Sequence, residues 1–168
     1  MDTLKIVVTG DTHMPMRGKK LPSKLIESLS NADLILHVGD WSTIEVYDEL
    51  TRYAPVEGVV GNVDQEEIQK RFAQKKIITL DKVRIGLTHG HGKGKTTEKR
   101  AIDMFKDDAV DIVTFGHSHI PVLHHYNDLI TFNPGSPTDK RRQNQYSFGI
   151  IQISETVAIQ HVYYDTKE

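Results

Sequence analysis

LKIVVTGDTH, residues 4–13, reads as a buried strand that stops at a glycine and hands the chain to polar residues. A nearly continuous apolar run bounded by a turn signal is what a strand covered on both faces requires. The pattern recurs. Leu34-Ile35-Leu36-His37-Val38 is followed by Gly39-Asp40, and Val56 to Val60 by Gly61-Asn62. Amphipathic segments separate these runs. Pro22 to Ser30 places Leu25, Ile26 and Leu29 on one helical face. Ser42 or Thr43 is positioned to cap a helix reaching about Tyr53, with Ile44, Tyr47 and either Leu50 or Val46 inward. The order β-α-β-α-β is the signature of a largely parallel sheet.

The second half changes style. A short helix near Gln65 to Phe72 precedes a hairpin, 76–80 and 83–87, turning at Asp81-Lys82. Thr96 to Lys106 reads as a helix with Ile102 and Phe105 inward, and Val110 to Phe115 as another buried strand. Two further hairpins are expected over 122–133 and 146–164. With no linker, repeat or low-complexity stretch, residues 1–168 are expected to form one α/β domain. Two sheets with helices on their outer faces are expected.

Bulk properties bound the function. A chain of 168 residues can bury roughly two-thirds of its unfolded surface. It has no cysteine, which excludes disulfides and thiolate metal ligands. A formal charge of −2 gives no electrostatic reason for nucleic acid or an anionic membrane as main partner. No apolar run approaches the roughly 20 residues of a membrane span. MDTLKIVVTG lacks a basic region followed by a long apolar one, so no secretory signal is expected and a cytoplasmic location is.

The strand ends carry the chemistry. They deliver Asp11 and His13, then Asp40, then Asn62, then His89 and His91, then His117 and His119. In parallel α/β sheets the carboxyl ends of the strands gather along one edge, where ligands bind. Each piece alone is weak. A D-x-H triplet recurs by chance, Asp40 suits a helix cap, and Asn62 suits a turn. As an ordered set, they bring carboxylates and imidazoles together, which is costly unless a cation sits among them. Nitrogen and oxygen donors without thiolate suit Mn²⁺, Fe, Zn²⁺, Ni²⁺ or Co²⁺. The donors are too many for one such ion and suit two, about 3.5–4 Å apart.

These blocks resemble the calcineurin-like metallophosphoesterase superfamily: Asp11-Thr12-His13, Gly39-Asp40, Gly61-Asn62, His89-Gly90-His91 and Gly116-His117-Ser118-His119. The small size and Asn133-Pro134-Gly135-Ser136 are most similar to the compact bacterial and archaeal phosphodiesterases. That branch is related to the phosphoesterase-like subunit of the retromer sorting complex. The resemblance implies a four-layer α/β/β/α sandwich of two packed mixed sheets. It also implies two divalent transition-metal ions, manganese first, with nickel, iron, zinc or cobalt as alternatives. Asp11, His13 and His119 would hold one ion, Asn62, His89 and His117 the other, and Asp40 would bridge them. The implied reaction is hydrolysis of a small phosphodiester by in-line attack of a bridging hydroxide, with Asn62 also facing substrate. A phosphomonoesterase and a non-catalytic binding scaffold like the retromer subunit are the alternatives. Self-association through a hairpin edge stays open.

Two departures stand out. Larger relatives carry a histidine after the Gly-Asn pair, whereas Val63 stands here and cannot donate a proton. His91 is the substitute proposed as acid. Larger relatives also often carry an aspartate where Thr43 stands. Arg17 and Lys93 are expected to bind or steer anionic substrate. The Gly92-Lys93-Gly94-Lys95-Thr96 run is not a P-loop, because His89 occupies the position of its first glycine. His37 reads as packed, His124, His125 and His161 as structural, and Arg141-Arg142 as surface. Trp41 is open between stacking on a base and filling the core.

Overall fold

Alternation along the first strand sets the layers. In β1 (Leu4–Thr9), Ile6 and Val8 face one way and Val7 the other, as successive strand residues must. Ile6 and Val8 enter a core shared with Leu36, Val38, Ile85, Leu87 and Phe132, which is the interior between two sheets. Val7 joins Ile35, Leu25, Leu29, Val46 and Leu50 beneath helices. The computed structural model describes residues 2–168.

The remaining elements are α1 (Ser23–Leu29), β2 (Leu34–His37), α2 (Ile44–Thr51), β3 (Val56–Gly58), α3 (Glu66–Arg71), β4 (Lys75–Leu80), β5 (Val83–Thr88), α4 (Thr97–Met104), β6 (Ile112–Thr114), β7 (Val122–Tyr126), β8 (Leu129–Asn133), β9 (Tyr146–Ile153) and β10 (Val157–Tyr164). The first sheet has the order β10-β9-β1-β2-β3 and the second β4-β5-β6-β8-β7. β1, β2 and β3 run parallel, and β9 pairs antiparallel with β1. In the second sheet β5, β6 and β8 run parallel, flanked by antiparallel β4 and β7. α1, α2 and α3 cover the first sheet, through Leu25, Leu29, Val46, Leu50 and Ile68. α4 covers the second through Ala101, with Phe105 just beyond its end. The expected α/β/β/α sandwich is the observed one.

Local differences have local causes. β3 stops at Gly58, short of Val60, because the Trp41 ring lies over Gly58 and its indole N–H donates to the Val59 carbonyl at 2.9 Å. Trp41 is therefore core: fully buried, it stacks on His37 at 3.8 Å and on Phe72 at 4.6 Å. Thr43 holds the N-cap position of α2, but its hydroxyl donates to the Met14 carbonyl and not to the helix. It ties the loop after β1 to α2. Thr96, by contrast, does cap α4, accepting from the Lys99 N–H at 3.2 Å.

Phe132 shows how closely the sheets meet. Its ring lies fully buried against Gly149, where a Cβ would come within 2.2 Å of it, and stacks on His161 at 4.6 Å. Phe132→Ala should cost about 3–5 kcal/mol, read as a lowered urea midpoint at unchanged m-value.

Candidate metal centre

Both sheets present the carboxyl ends of three parallel strands. From the first come Asp11 and His13 after β1, Asp40 after β2 and Asn62 after β3. From the second come His89 after β5 and His117 and His119 after β6. All seven lie on loops, and five of them, Asp11, His13, Asp40, His117 and His119, have positive φ between 45° and 72°. Left-handed backbone is uncommon for residues with a Cβ and gathers where function over-determines the conformation. The neighbouring glycines make room. A Cβ on Gly61 would sit 2.1 Å from Asp40 Oδ1, and one on Gly39, at φ +100°, would sit 2.8 Å from His89 Nδ1.

The donor atoms converge in two groups, Asp11, His13 and His119, and Asp40, His89 and His117. Within each group one ligand atom per residue lies within 4.8 Å of the others. The groups adjoin. Asp40 Oδ2 is 3.0 Å from His89 Nε2 and 3.6 Å from His13 Nε2 of the other group. Asp11 Oδ1 lies 3.7 Å from both His89 Nε2 and His119 Nε2. Asn62 Oδ1 is 3.0 Å from His89 Nε2.

Buried polar atoms are almost always partnered. Here Asp11 Oδ1, His13 Nε2 and His119 Nε2 are buried without a hydrogen-bond partner, and they face one another. A cation among them would satisfy all three at once. The other ring nitrogen is already occupied in two of the histidines. His89 Nδ1 donates to the Val38 carbonyl at 2.8 Å and His119 Nδ1 to the Asp139 carbonyl at 2.5 Å. Such outer partners fix the tautomer and turn Nε2 inward as a ligand. The residues fit a pair of ions with nitrogen and oxygen ligands.

The electrostatics follow from burial. Burial pushes the Asp11 carboxyl up to about 7. Burial also opposes charge on His89, but the Asp40 hydrogen bond and the Asp11 and Asp40 charges outweigh it and raise its pKa to about 9. Asp40 is held well below the carboxylate range, burial being outweighed by the same His89 bond and charge. Burial, then the His89 charge, takes His117 down to about 4. Burial alone is the largest cause for His119, also about 4. Two imidazoles are thus neutral near pH 7, the form that binds metal.

Other expected site residues lie around this centre. The His91 ring is 5.5 Å from that of His89 and 6.4 Å from that of His117, and its Nδ1 has no partner. Lys93 is exposed and lines a cleft with His91 and Arg100. Arg17 is largely exposed and pairs with Asp139 at 3.5 Å. His37 is buried: it accepts from the Gly39 N–H and bonds Thr12, so it braces two of the loops. His161 is packed and bonds the Asn133 carbonyl, while His124 bonds Glu98 at the surface.

Two supports were not legible in the sequence. Asp64 is buried and accepts from the backbone N–H groups of Asp40, Ser42 and Gly61 at 3.0, 2.8 and 2.7 Å. The loop after β8 is fastened to the ligands. Ser136 Oγ donates to the Asp11 carbonyl at 2.8 Å and Thr138 Oγ1 to that of Thr12 at 2.5 Å. The only forward signal for either was Asn133-Pro134-Gly135-Ser136, a turn cluster.

Fold and cluster define a class: a two-sheet α/β/β/α protein with carboxylate and imidazole donors gathered at the strand ends. The chain matches the calcineurin-like phosphoesterase superfamily domain over residues 4–156, and it belongs to that superfamily. It is 33% identical over 138 residues to a probable metallophosphoesterase of Methanothermobacter thermautotrophicus, covering 81% of this chain and 78% of that protein. Its fold is similar to zinc-complexed Vps29 from Entamoeba histolytica, with a TM-score of 0.76, 23% identity and coverage of 95% and 99% of the two chains. It is equally similar to a novel archaeal phosphodiesterase, with a TM-score of 0.75, 22% identity and coverage of 96% and 100%.

Proposed function

We propose that this protein is a hydrolase of phosphodiesters that works with two divalent transition-metal ions, manganese first. The observation that carries this reading is the set of buried, unpartnered donors on Asp11, His13 and His119 beside the Asp40–His89–His117 group. Asp11, His13 and His119 would hold one ion and Asn62, His89 and His117 the other, with Asp40 shared between the two groups. When bound, the ions supply a water nucleophile at neutral pH and neutralise phosphoryl charge. The chain's own part is positioning. Glycines and left-handed turns fix the ligand loops, and the Asn62 amide, beside His89, would be a donor to substrate oxygens.

The test is elemental analysis beside turnover of a chromogenic aryl phosphodiester. Dialysis against a chelator should abolish turnover, and Mn²⁺ should restore it. A protein that takes up no metal and turns over no ester would sink the reading.

His91 is the proposed proton donor to the leaving group, since Val63 has no proton to give. His91→Gln should cost aryl diesters less than about fivefold, because their leaving groups depart unaided. It should cost alkyl diesters about 10²-fold, as loss of a general acid does. Equal losses on both would remove His91 from that role.

A binding scaffold is the second reading. Met16, Val63 and Ile120, each within three residues of a proposed ligand, are exposed at 85, 51 and 47%. Apolar side chains exposed this close to the ligands suit a protein partner, and equally the apolar arm of a diester; turnover separates the two.

A further inference from the structure

Arg141 is exposed, as the sequence reading has it, but its backbone is unusual. It sits at φ +51° on the loop after β8, a conformation costly for a side chain with a Cβ. That loop is not free to wander. Ser136, Thr138 and Asp139 bond to Asp11, Thr12 and His119, so the segment is held against the first ligand group. Arg141 leaves it pointing at the site. Its Nη1 lies 3.5 Å from the His117 carbonyl, and its charge acts on Asp11, His13 and His119.

Several neighbouring cations are committed elsewhere. Arg17 pairs with Asp139, Lys95 with Asp103, and Arg100 donates to the Gly90 and Lys95 carbonyls. Among the described residues no carboxylate pairs with Arg141, and its single bond, to a carbonyl, is at the long limit for a hydrogen bond. A guanidinium brought to a metal-ligand cluster and left without an anion is suited to recognise one. Its planar fork matches two phosphoryl oxygens.

We propose that Arg141 is a substrate-binding residue, whose guanidinium takes the non-bridging oxygens of a phosphoryl group seated over the Asp11–His13–His119 side of the site. The inference rests on the phosphoesterase reading above and adds the residue that grips the anion.

Inorganic phosphate is titrated calorimetrically into the Mn²⁺-loaded chain, as wild type, Arg141→Ala, Arg141→Lys and Arg142→Ala, with metal content measured on each. Arg141→Ala should bind phosphate about tenfold more weakly with metal content unchanged, as loss of a charge-assisted bond predicts. Arg141→Lys should recover part of the affinity, and Arg142→Ala should match wild type. On an aryl diester, Arg141→Ala should lower kcat/KM about 10²-fold. Equal phosphate affinity in wild type and Arg141→Ala overturns the proposal. So does a wild type that binds no phosphate, or metal content that falls in step with affinity. Phosphate binding that depends on Arg141, in a protein that hydrolyses no diester, upholds this inference and removes the hydrolytic reading.

Discussion

Asp40→Ala should abolish turnover and leave the chain folded with less than two equivalents of metal. Asp40 is the carboxylate whose oxygen comes nearest to both ligand groups, 3.0 Å from His89 Nε2 and 3.6 Å from His13 Nε2, against 3.7 Å from Asp11 Oδ1 to His89 Nε2 and to His119 Nε2. Its other oxygen accepts the Val63 N–H at 3.0 Å, which fixes the rotamer. Charge stabilisation by metal is worth several kcal/mol, and each ~1.4 kcal/mol is tenfold in rate, so the loss should be about 10³-fold or more. Asp40→Asn separates charge from shape. It keeps an acceptor for Val63 and removes the negative charge, so it should fold as wild type and fail equally in turnover. Elemental analysis beside kcat for the three proteins decides the matter. Full metal content with lost activity would deny Asp40 its shared position and leave it a group that orients substrate.

Asp64→Ala should be the most damaging change away from the proposed ligands. The carboxylate is buried, and burial holds its pKa above the usual range despite three backbone donors. Those donors belong to two loops. Asp40 and Ser42 follow β2, and Gly61 follows β3. Asp64 is thus a clasp between the loops that carry Asp40 and Asn62. Removing it strands three N–H groups, each costing about 1–3 kcal/mol where water does not reach it. The sum, eased by water entering the gap, should be about 3–4 kcal/mol of stability. Activity should fall as well, because Asp40 and Asn62 lose their common anchor. Urea denaturation checks the first effect. Turnover under strongly folding conditions, with metal in excess, checks the second. A stable, fully active Asp64→Ala protein would mean that water replaces the clasp.

The division between what was legible and what was not follows the range of the interactions. Apolar runs ending in glycine, and helices with one greasy face, are local patterns with a short period. They marked β1, β2, β5 and β6 and the donors that follow them, and they ordered those donors along the chain. Sheet membership was not local. The hairpins 122–133 and 146–164 look alike in composition. Yet the first extends the second sheet beside β6, while the second crosses back to pair with β1. Trp41 was undecidable beside Asp40 until Gly58 and Phe72 arrived on either side of it.

The sequence by itself determined the residue types that can bind metal, their order, and their placement at strand ends, because strand termination and side-chain chemistry are written within a few residues. Only the tertiary structure decided what holds them in place. Ser136 meets Asp11 across 125 positions of the chain, Asp139 meets His119 across 20, and Asp64 meets Asp40 across 24. Each is a hydrogen bond that no local pattern announces. Ser136 and Asp11 meet because the two sheets, once stacked, bring their loops together; the other two bonds join loops at neighbouring strand ends of one sheet, and in each case a buried polar group there must find a partner.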